Sequence, residues 1–482
     1  MIGTPKQRTR AALAAMVLAI GACGSDRGVP DGIAGGYDGG GIGGLTHYAC
    51  YASPNLTTPN DGAMVVTIDP ATKFQTMEGF GASMRLFDDP QVSNTLNPTT
   101  KRATAVASQL DQGKVLDALW LDLGLTRVRF LAGDGGIEPV NDNADPLAAD
   151  LSKFDFSWKN GDGQLDLIPM LSLNGVRTHF VAPAAREAWM TDANPEEYAE
   201  WLMVMLRHWR DRGYELPYVS LKNEPGSAAG GGVLSAAYLR DVTKLLGARI
   251  KADGMKTKIV LPDDVSPAQA YARLQVILAD ADARQYVGAV AYHLGDPTDA
   301  DKVKQLAEQY GIPVWVTSFS APDLLGVATT IHQIIASGVS ALDYTWGFYG
   351  DQESSQLIRL VAQNGVYERF SKTPQYFAMG QFSRFVMRGA VRVAATSSDP
   401  DLLAAAFVDG AKLIVVATYL GGPFERAVRL ELGAGGPCVK RLESVRTGDA
   451  QGWLTLPQTF ISSPRVSAIV PAHSITTWVG QE

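Results

Sequence analysis

From residue 64 onward, short apolar runs of strand length alternate with longer stretches whose apolar residues recur every three or four positions. Eight such runs precede residue 388. The first ends in Gly79-Phe80-Gly81, and the others cover 127–131, 168–173, 218–224, 258–262, 287–293, 313–320 and 341–346. Helical periodicity fills the gaps, most clearly over 195–212. There Asn194 stands at the N-cap, Pro195 opens the first turn, Glu196 and Glu197 meet the positive dipole end, and Gly213 is the stop. Tyr198, Trp201, Leu202, Met205 and Trp209 fall on one face, as packing against a sheet requires. Stretches 233–252, 266–283, 301–310 and 324–336 behave similarly. Strand and helix alternating eight times predicts an α/β fold, a closed (β/α)8 TIM barrel. Beyond Arg388 the helical period disappears. Runs at 391–396, 402–407, 412–418, 427–432, 439–445 and 474–479, separated by Gly, Pro, Asp and Ser, predict a C-terminal β-sandwich. The strand near 64–68 is free to join it.

The flanking sequence sets the domain bounds. Lys6, Arg8 and Arg10 precede an apolar run over 11–22 that is too short to span a bilayer, so 1–22 is expected to be an export signal. Ile20-Gly21-Ala22-Cys23 resembles the bacterial lipobox, which makes Cys23 the expected lipidation site. An ordinary cleaved signal is the alternative. Either way the protein is expected to be exported, secreted or on the cell surface, touching the membrane only through a lipid anchor. Residues 23–62 are rich in Gly and Asp and read as a spacer, followed by a barrel over 63–388 and a sandwich over 389–482. A net charge of -8 gives no reason to expect nucleic acid or an anionic membrane as partner. Cys50 and Cys438 either form a disulfide or remain free thiols. Three cysteines and six histidines without close-spaced pairs give no metal signal, and no cofactor is implied. A monomer is expected.

In a parallel barrel the carboxyl ends of the strands form the active face, so polar residues there read as chemistry. In strand order the expected set is Glu78 with Gly79-Phe80-Gly81-Ala82-Ser83, then Arg129, then Asn174 and Arg177, then Asn223 and Glu224. Asp263 and Asp264, Tyr292 and His293, Thr317 and Ser318, and Trp346 complete it. Glu224 closes an apolar run and is followed at once by Pro225 and Gly226, which argues against a helix-capping role. It suits a general acid, with Asn223 beside it to hold a substrate hydroxyl. Amides, an arginine, a histidine and aromatic faces suit a sugar, which takes hydrogen bonds at its rim and stacking on its C–H face. Each has a plainer alternative. Arg129 would equally neutralise a barrel carboxylate, His293 would serve as a core histidine, and Trp346, Trp158 and Trp189 would serve as packing. No glycine-rich phosphate loop or nucleophile elbow is present.

Taken together, Gln75-Thr-Met-Glu-Gly-Phe-Gly-Ala-Ser, Asn223-Glu224-Pro225, Ala291-Tyr-His293, Val314-Trp-Val-Thr-Ser-Phe-Ser320 and Gln381-Phe-Ser-Arg-Phe385 resemble glycoside hydrolase family 30. The similarity runs from about residue 64 to the C-terminus. It implies a barrel fused to a β-sandwich that cleaves β-linked glycans, xylans, β-1,6-glucans or galactans among them, with retention of configuration. By this resemblance Glu224 is the acid/base, Asn223 positions the 2-hydroxyl and Trp346 stacks on the bound ring; Arg129, Asn174, Tyr292 and His293 are expected substrate contacts from their strand-end positions. Arg177 would read an acidic branch. The departure lies on the seventh strand, where the family's Trp-x-x-Glu supplies the nucleophile and this chain has Ser318. A serine hydroxyl with no base beside it cannot take that role. Three explanations stand open: a nucleophile variant suited to trapping or synthesis, a glycan-binding relative that has lost hydrolysis, or an inverting enzyme. The inverting route would use another carboxylate, such as Asp263, Asp323, Asp351 or Glu353.

Overall fold

The computed structural model describes residues 62–133, 136–448 and 451–482. The segment expected to be an export signal, the expected lipidation site Cys23, the expected spacer and Cys50 lie outside the described residues; Cys438 is disulfide-bonded. The first strand, β1 (Met64–Thr76), precedes a closed parallel barrel. Its staves are β2 (Gly79–Met84), β3 (Arg127–Ala132), β4 (Thr178–Pro183), β5 (Tyr218–Ser220), β6 (Lys258–Asp264), β7 (Val287–Leu294), β8 (Val314–Phe319) and β9 (Ala341–Tyr344). Closure runs through β9 and β2, with Gly79 opposite Ala341 and Ala82 opposite Tyr344.

Seven of the eight predicted strands fall on barrel staves. The third does not. Residues 168–173 belong to a helix, Asp162–Leu173, and the stave is β4, which follows it. The run is apolar enough for a strand, but its buried members Gln164, Ile168 and Leu171 are four and three residues apart, which is the helical period. Met170 and Leu173 face solvent. Run length outweighed periodicity in that prediction.

The floor of the barrel explains the Gly-Phe-Gly motif. Arg127 and Asp343 form a bidentate pair inside the barrel, at 3.0 and 3.1 Å, with the Trp315 ring 4.1 Å from the guanidinium. A Cβ on Gly81 would lie 2.1 Å from the Asp343 carboxylate and 2.6 Å from Arg127, so only glycine leaves room for the pair. Outside the barrel, the helix Pro195–Asp211 buries Tyr198, Trp201, Leu202, Met205 and Trp209 completely. Asn194 occupies the N-cap position but makes no side-chain cap bond.

The C-terminal strands and β1 form one nine-stranded sheet, with β1 between Val391–Ser397 and Arg426–Leu432. Val466 and Val470 from one edge strand share a core with Leu442 near the other, so the sheet curls round on itself as a sandwich does. Period-two alternation assigns its faces. In Lys412–Tyr419, Leu413, Val415, Ala417 and Tyr419 fill the sheet's own core, while Ile414 and Val416 pack on the barrel's helices.

Gln381 fastens this joint. From the helix Pro374–Ser383 its amide lies 2.7 Å from the Thr447 hydroxyl and 2.6 Å from the Thr477 hydroxyl, all buried. Replacing Gln381 with Leu strands the Thr447 hydroxyl and leaves that of Thr477 only the backbone carbonyl of residue 381, at 2.7 Å, and we expect a loss of about 1–3 kcal/mol in urea unfolding. A change below about 0.5 kcal/mol would show that the joint is held by apolar packing alone.

Candidate active site

Beyond β5 the chain turns sharply into the barrel mouth, and its backbone is pinned at each step. Tyr198 donates to the Leu221 carbonyl, and the Asn223 N–H donates to the Pro183 carbonyl at 2.8 Å. The buried Lys222 ammonium donates to the carbonyls of Asn223, Glu224 and Ala229 at 3.3, 3.1 and 2.9 Å. Glu224 has φ 52° and Asp263 φ 63°, and the Glu224 N–H donates to the Asp263 carbonyl at 3.0 Å. Two left-handed non-glycine residues, bonded to each other, mark backbone held against its own preference.

These turns converge four side chains into a chain of alternating charge. His293 Nδ1 lies 3.0 Å from a Glu224 carboxylate oxygen, and Nε2 lies 3.4 Å from Asp263. Arg129 donates to Asp263 at 2.8 Å and to the Asn223 side-chain oxygen at 2.6 Å. Thr317 donates to Asp263 at 2.5 Å. With a carboxylate near each ring nitrogen, the surroundings of His293 favour its protonated form. Its contact with Arg129 at 3.4 Å is tolerable because Asp263 touches both cations. Exposure falls along the chain: the Glu224 side chain is 34% exposed, His293 10% and Asp263 0%. Only Glu224 is placed to meet a ligand.

The charges set the protonation states. The hydrogen bond from His293 pulls the Glu224 pKa below its ordinary value despite burial, and the charges of His293 and Arg129 add to the effect. Burial alone would lower the His293 pKa, but its bonds to Asp263 and Glu224 outweigh it and raise the value. Burial likewise opposes ionised Asp263, and Arg129, His293 and Thr317 overcome it. Raised in the fold, His293 contributes stability that is fully present below its unfolded pKa of about 6.5 and is lost as pH rises through the folded value. Depressed Glu224 contributes stability present above its unfolded pKa and lost as pH falls through the folded one. We therefore expect His293→Asn to flatten the fall in stability above about pH 6.5, measured by unfolding at several pH values. An unchanged slope would mean that His293 is neutral in the fold.

Ser318 is the register partner of His293 across β7 and β8, so it stands beside the Glu224–His293 pair. Its hydroxyl lies 3.1 Å from that of Thr345, and neither hydroxyl is hydrogen-bonded to a carboxylate or histidine among the described residues. Trp346 follows directly, half-buried, with the Arg85 guanidinium 5.5 Å from its ring and Tyr349 5.0 Å away. Trp158 donates to Asp88 at 2.9 Å, and Trp189 donates to the Glu138 carbonyl at 2.7 Å. Sequence reasoning missed Lys222, Arg85 and Thr345. Lys222 and Thr345 each adjoin a residue that was singled out.

Four expected site residues are elsewhere. Asn174 caps the C-terminus of the helix Asp162–Leu173 and donates to Asp117 at 3.2 Å, before β4 begins. Arg177 immediately precedes β4, donates to the Val176 carbonyl at 3.3 Å, and so lies at the opposite barrel end. Both follow from the misplaced third strand. Glu78 precedes β2 and accepts from Trp315 and Ser340 at 2.7 and 2.6 Å, among floor residues. Tyr292 alternates with inward-facing His293 and is fully buried, with Ser337 and Asp301 around its hydroxyl rather than the mouth. Of the carboxylates proposed for an inverting route, Asp263 is sealed and paired, and Asp323 caps a helix through the Gly326 N–H. Asp351 lies 3.9 Å from Arg359, and Glu353 accepts from the Ser354 and Ser355 N–H groups and the Ser355 hydroxyl.

No family model matches the chain. Among solved structures, the catalytic domain of GH30 xylanase C from Talaromyces cellulolyticus superposes with a TM-score of 0.69, over 87% of this chain and 100% of that one, at 21% identity. The fold is that of a glycoside hydrolase family 30 catalytic domain. Among curated relatives, the endo-1,6-beta-D-glucanase of Neurospora crassa is 23% identical over 90% of this chain and 92% of its own length. The putative glucosylceramidase 2 of Caenorhabditis elegans is 22% identical over 73% of this chain and 76% of its own. Each of the three similarities covers 73% or more of this chain.

Proposed function

We propose that this chain is a glycoside hydrolase of the family 30 type, built to hold a β-linked glycan across the mouth of its barrel. One observation carries the reading: Glu224, about one-third exposed and held by His293, stands beside the strand position from which a retaining enzyme presents its second carboxylate. Trp346 gives the sugar a stacking face, and Asn223, fixed by Arg129, offers an amide at the rim. The names of the similar proteins support glucans and xylans as the substrate class. Ser318 in the nucleophile position favours one further reading, a glycan-binding protein without turnover.

A panel of β-1,6-glucan, β-1,6-galactan and glucuronoxylan, incubated with the chain and with Ser318→Glu, separates the two by reducing-sugar release. Release by Ser318→Glu that Glu224→Gln abolishes in the same background supports the hydrolase. Silence from both, with thermal stabilisation by one glycan, favours the binding protein.

Export through the N-terminal segment belongs to the same proposal, with Cys23 as the acylated residue. It rests on the charged, apolar and small-residue pattern of that segment. Expressed in a bacterial host with labelled palmitate, the chain should carry label that Cys23→Ser loses; equal labelling would count against the anchor.

A further inference from the structure

We propose that a cluster of carboxyl groups at the rim of the barrel mouth is a proton-held latch: while the cluster keeps its protons it clamps the loop over 136–150, and its ionisation as pH rises releases that loop and weakens glycan binding. The latch stands on the fold alone. Its effect on glycan rests on the barrel mouth being the glycan site.

The groups come from three segments that follow the carboxyl ends of β3 and β4. Glu138 and Asp142 lie on the loop after β3, Glu187 on the loop after β4, and Glu197 and Glu200 near the start of the helix Pro195–Asp211. All but Asp142 are 7% exposed or less. Glu187 holds the first loop by its backbone, accepting from the Gly136 N–H at 2.8 Å and the Glu138 N–H at 3.0 Å. Glu138 accepts from the Asp142 N–H at 2.9 Å, and Asp142 accepts from the Asp150 N–H. Asn141 on the same loop bonds the Glu197 carboxyl group. Next to Glu187, the Arg186 N–H donates to the Gly230 carbonyl at 3.1 Å, which ties the clamped loops to the turn that carries Glu224.

Crowded, buried like charges disfavour one another's ionisation. The largest charges acting on Glu138 are those of Asp142, Glu200 and Glu187, all of its own sign. Arg249, from the helix Ala236–Ala252, is the cation acting on Glu197 and Glu200; it also donates to the Glu196 carbonyl at 3.3 Å and is opposed by Arg207. Near Glu187, Arg186 is engaged with Asp192 at 2.7 Å and Tyr198 with the Leu221 carbonyl. With every carboxyl ionised, Asp142 Oδ1, Glu197 Oε2 and Glu200 Oε1 are buried without a hydrogen-bond partner. A proton on Glu200 lets it bond to Glu197. Among the described residues no three His, Cys, Asp or Glu side chains are arranged to hold a metal ion, which leaves protons to neutralise the cluster. Burial, aided by the like charges, pushes Glu138 up to about 8 and Glu200 up to about 7. Raised in the fold, both contribute stability that is fully present below their ordinary value of 4.5 and is lost as pH rises through 7 to 8.

Hydrogen–deuterium exchange of the full chain at about pH 6 and about pH 8 tests the latch. We expect protection factors over 136–150 to fall by about tenfold or more, the scale of one pKa unit of coupling, while the sheet strand Lys412–Tyr419 keeps its protection. Glu200→Gln, whose amide can bond Glu197 without titrating, should reduce the fall, and so should Glu138→Gln. Unchanged protection of the loop, an equal fall in the sheet strand, or an undiminished fall in both variants would each overturn the latch. So would suppression of the fall by added calcium, which would make the cluster a cation site. The coupling to glycan is read as thermal stabilisation by β-1,6-glucan and by glucuronoxylan at the same two pH values. Stabilisation should be weaker at the higher pH in the unaltered chain, and less so in Glu200→Gln. Equal pH dependence in the two proteins refutes the coupling alone. No stabilisation at either pH, with the loop released as expected, overturns the glycan reading of the mouth and the coupling with it.

Discussion

Ser318→Glu is expected to raise β-glycan hydrolysis by on the order of 10³-fold or more, the scale on which loss of a covalent nucleophile is felt in serine proteases. Two deficits are corrected at once. The new carboxylate can attack the anomeric carbon, which the Ser318 hydroxyl beside Thr345 cannot. It also places a like charge next to Glu224, whose pKa is now held down by His293. A neighbouring anion disfavours ionisation, so the Glu224 pKa rises and its acid form becomes available. The pH profile of kcat/KM for the variant should therefore be bell-shaped, with Glu224 on its alkaline limb. A gain in rate with no alkaline limb would mean that another group supplies the proton.

Arg129→Met is expected to cost about 3–5 kcal/mol of stability at pH 7, the largest loss of any single change in the site. Asp263 is 0% exposed and Arg129 2%, so removing the guanidinium leaves a carboxylate in the interior with only His293 as counter-charge. The loss should shrink as pH falls, because protonation of Asp263 then relieves the unpaired charge. Asp263→Asn in the same background should recover part of the loss, which a double-mutant cycle in guanidinium unfolding would measure. Losses that simply add would show that the two residues do not act as a pair.

The barrel was legible because most staves are short apolar runs that alternate with helices such as Pro195–Asp211. Helix 162–173 defeated the prediction, since its apolar run with an internal proline has the length of a strand. That error carried Asn174 and Arg177 to the wrong end of the barrel. Tyr292 was misjudged for a different reason. Strand parity sends neighbours to opposite faces, and a Tyr-His pair at a strand end can place only one side chain in the mouth. The motifs that most resemble the family proved structural in this fold. Gln75 donates to the Ile335 and Val339 carbonyls, Gly81 makes room for Arg127 and Asp343, and Gln381 fastens the sheet to the barrel. Arg129 and His293 were read correctly as strand-end residues, but both alternatives weighed for them hold in part. Arg129 does neutralise a barrel carboxylate, and that carboxylate in turn holds the histidine bonded to Glu224. No one-dimensional pattern encodes a relay that spans β3, β6 and β7.

The central claim is that Ser318 occupies the nucleophile position of a retaining glycosidase whose other parts are in place. Proton NMR of the first sugar released by Ser318→Glu tests it directly. Retention requires the two carboxylates about 5–5.5 Å apart, as a double displacement demands. The β-anomer should appear first and mutarotate afterwards. Initial release of the α-anomer would contradict it, because the carboxylate at that position would then be activating water rather than bonding to the sugar.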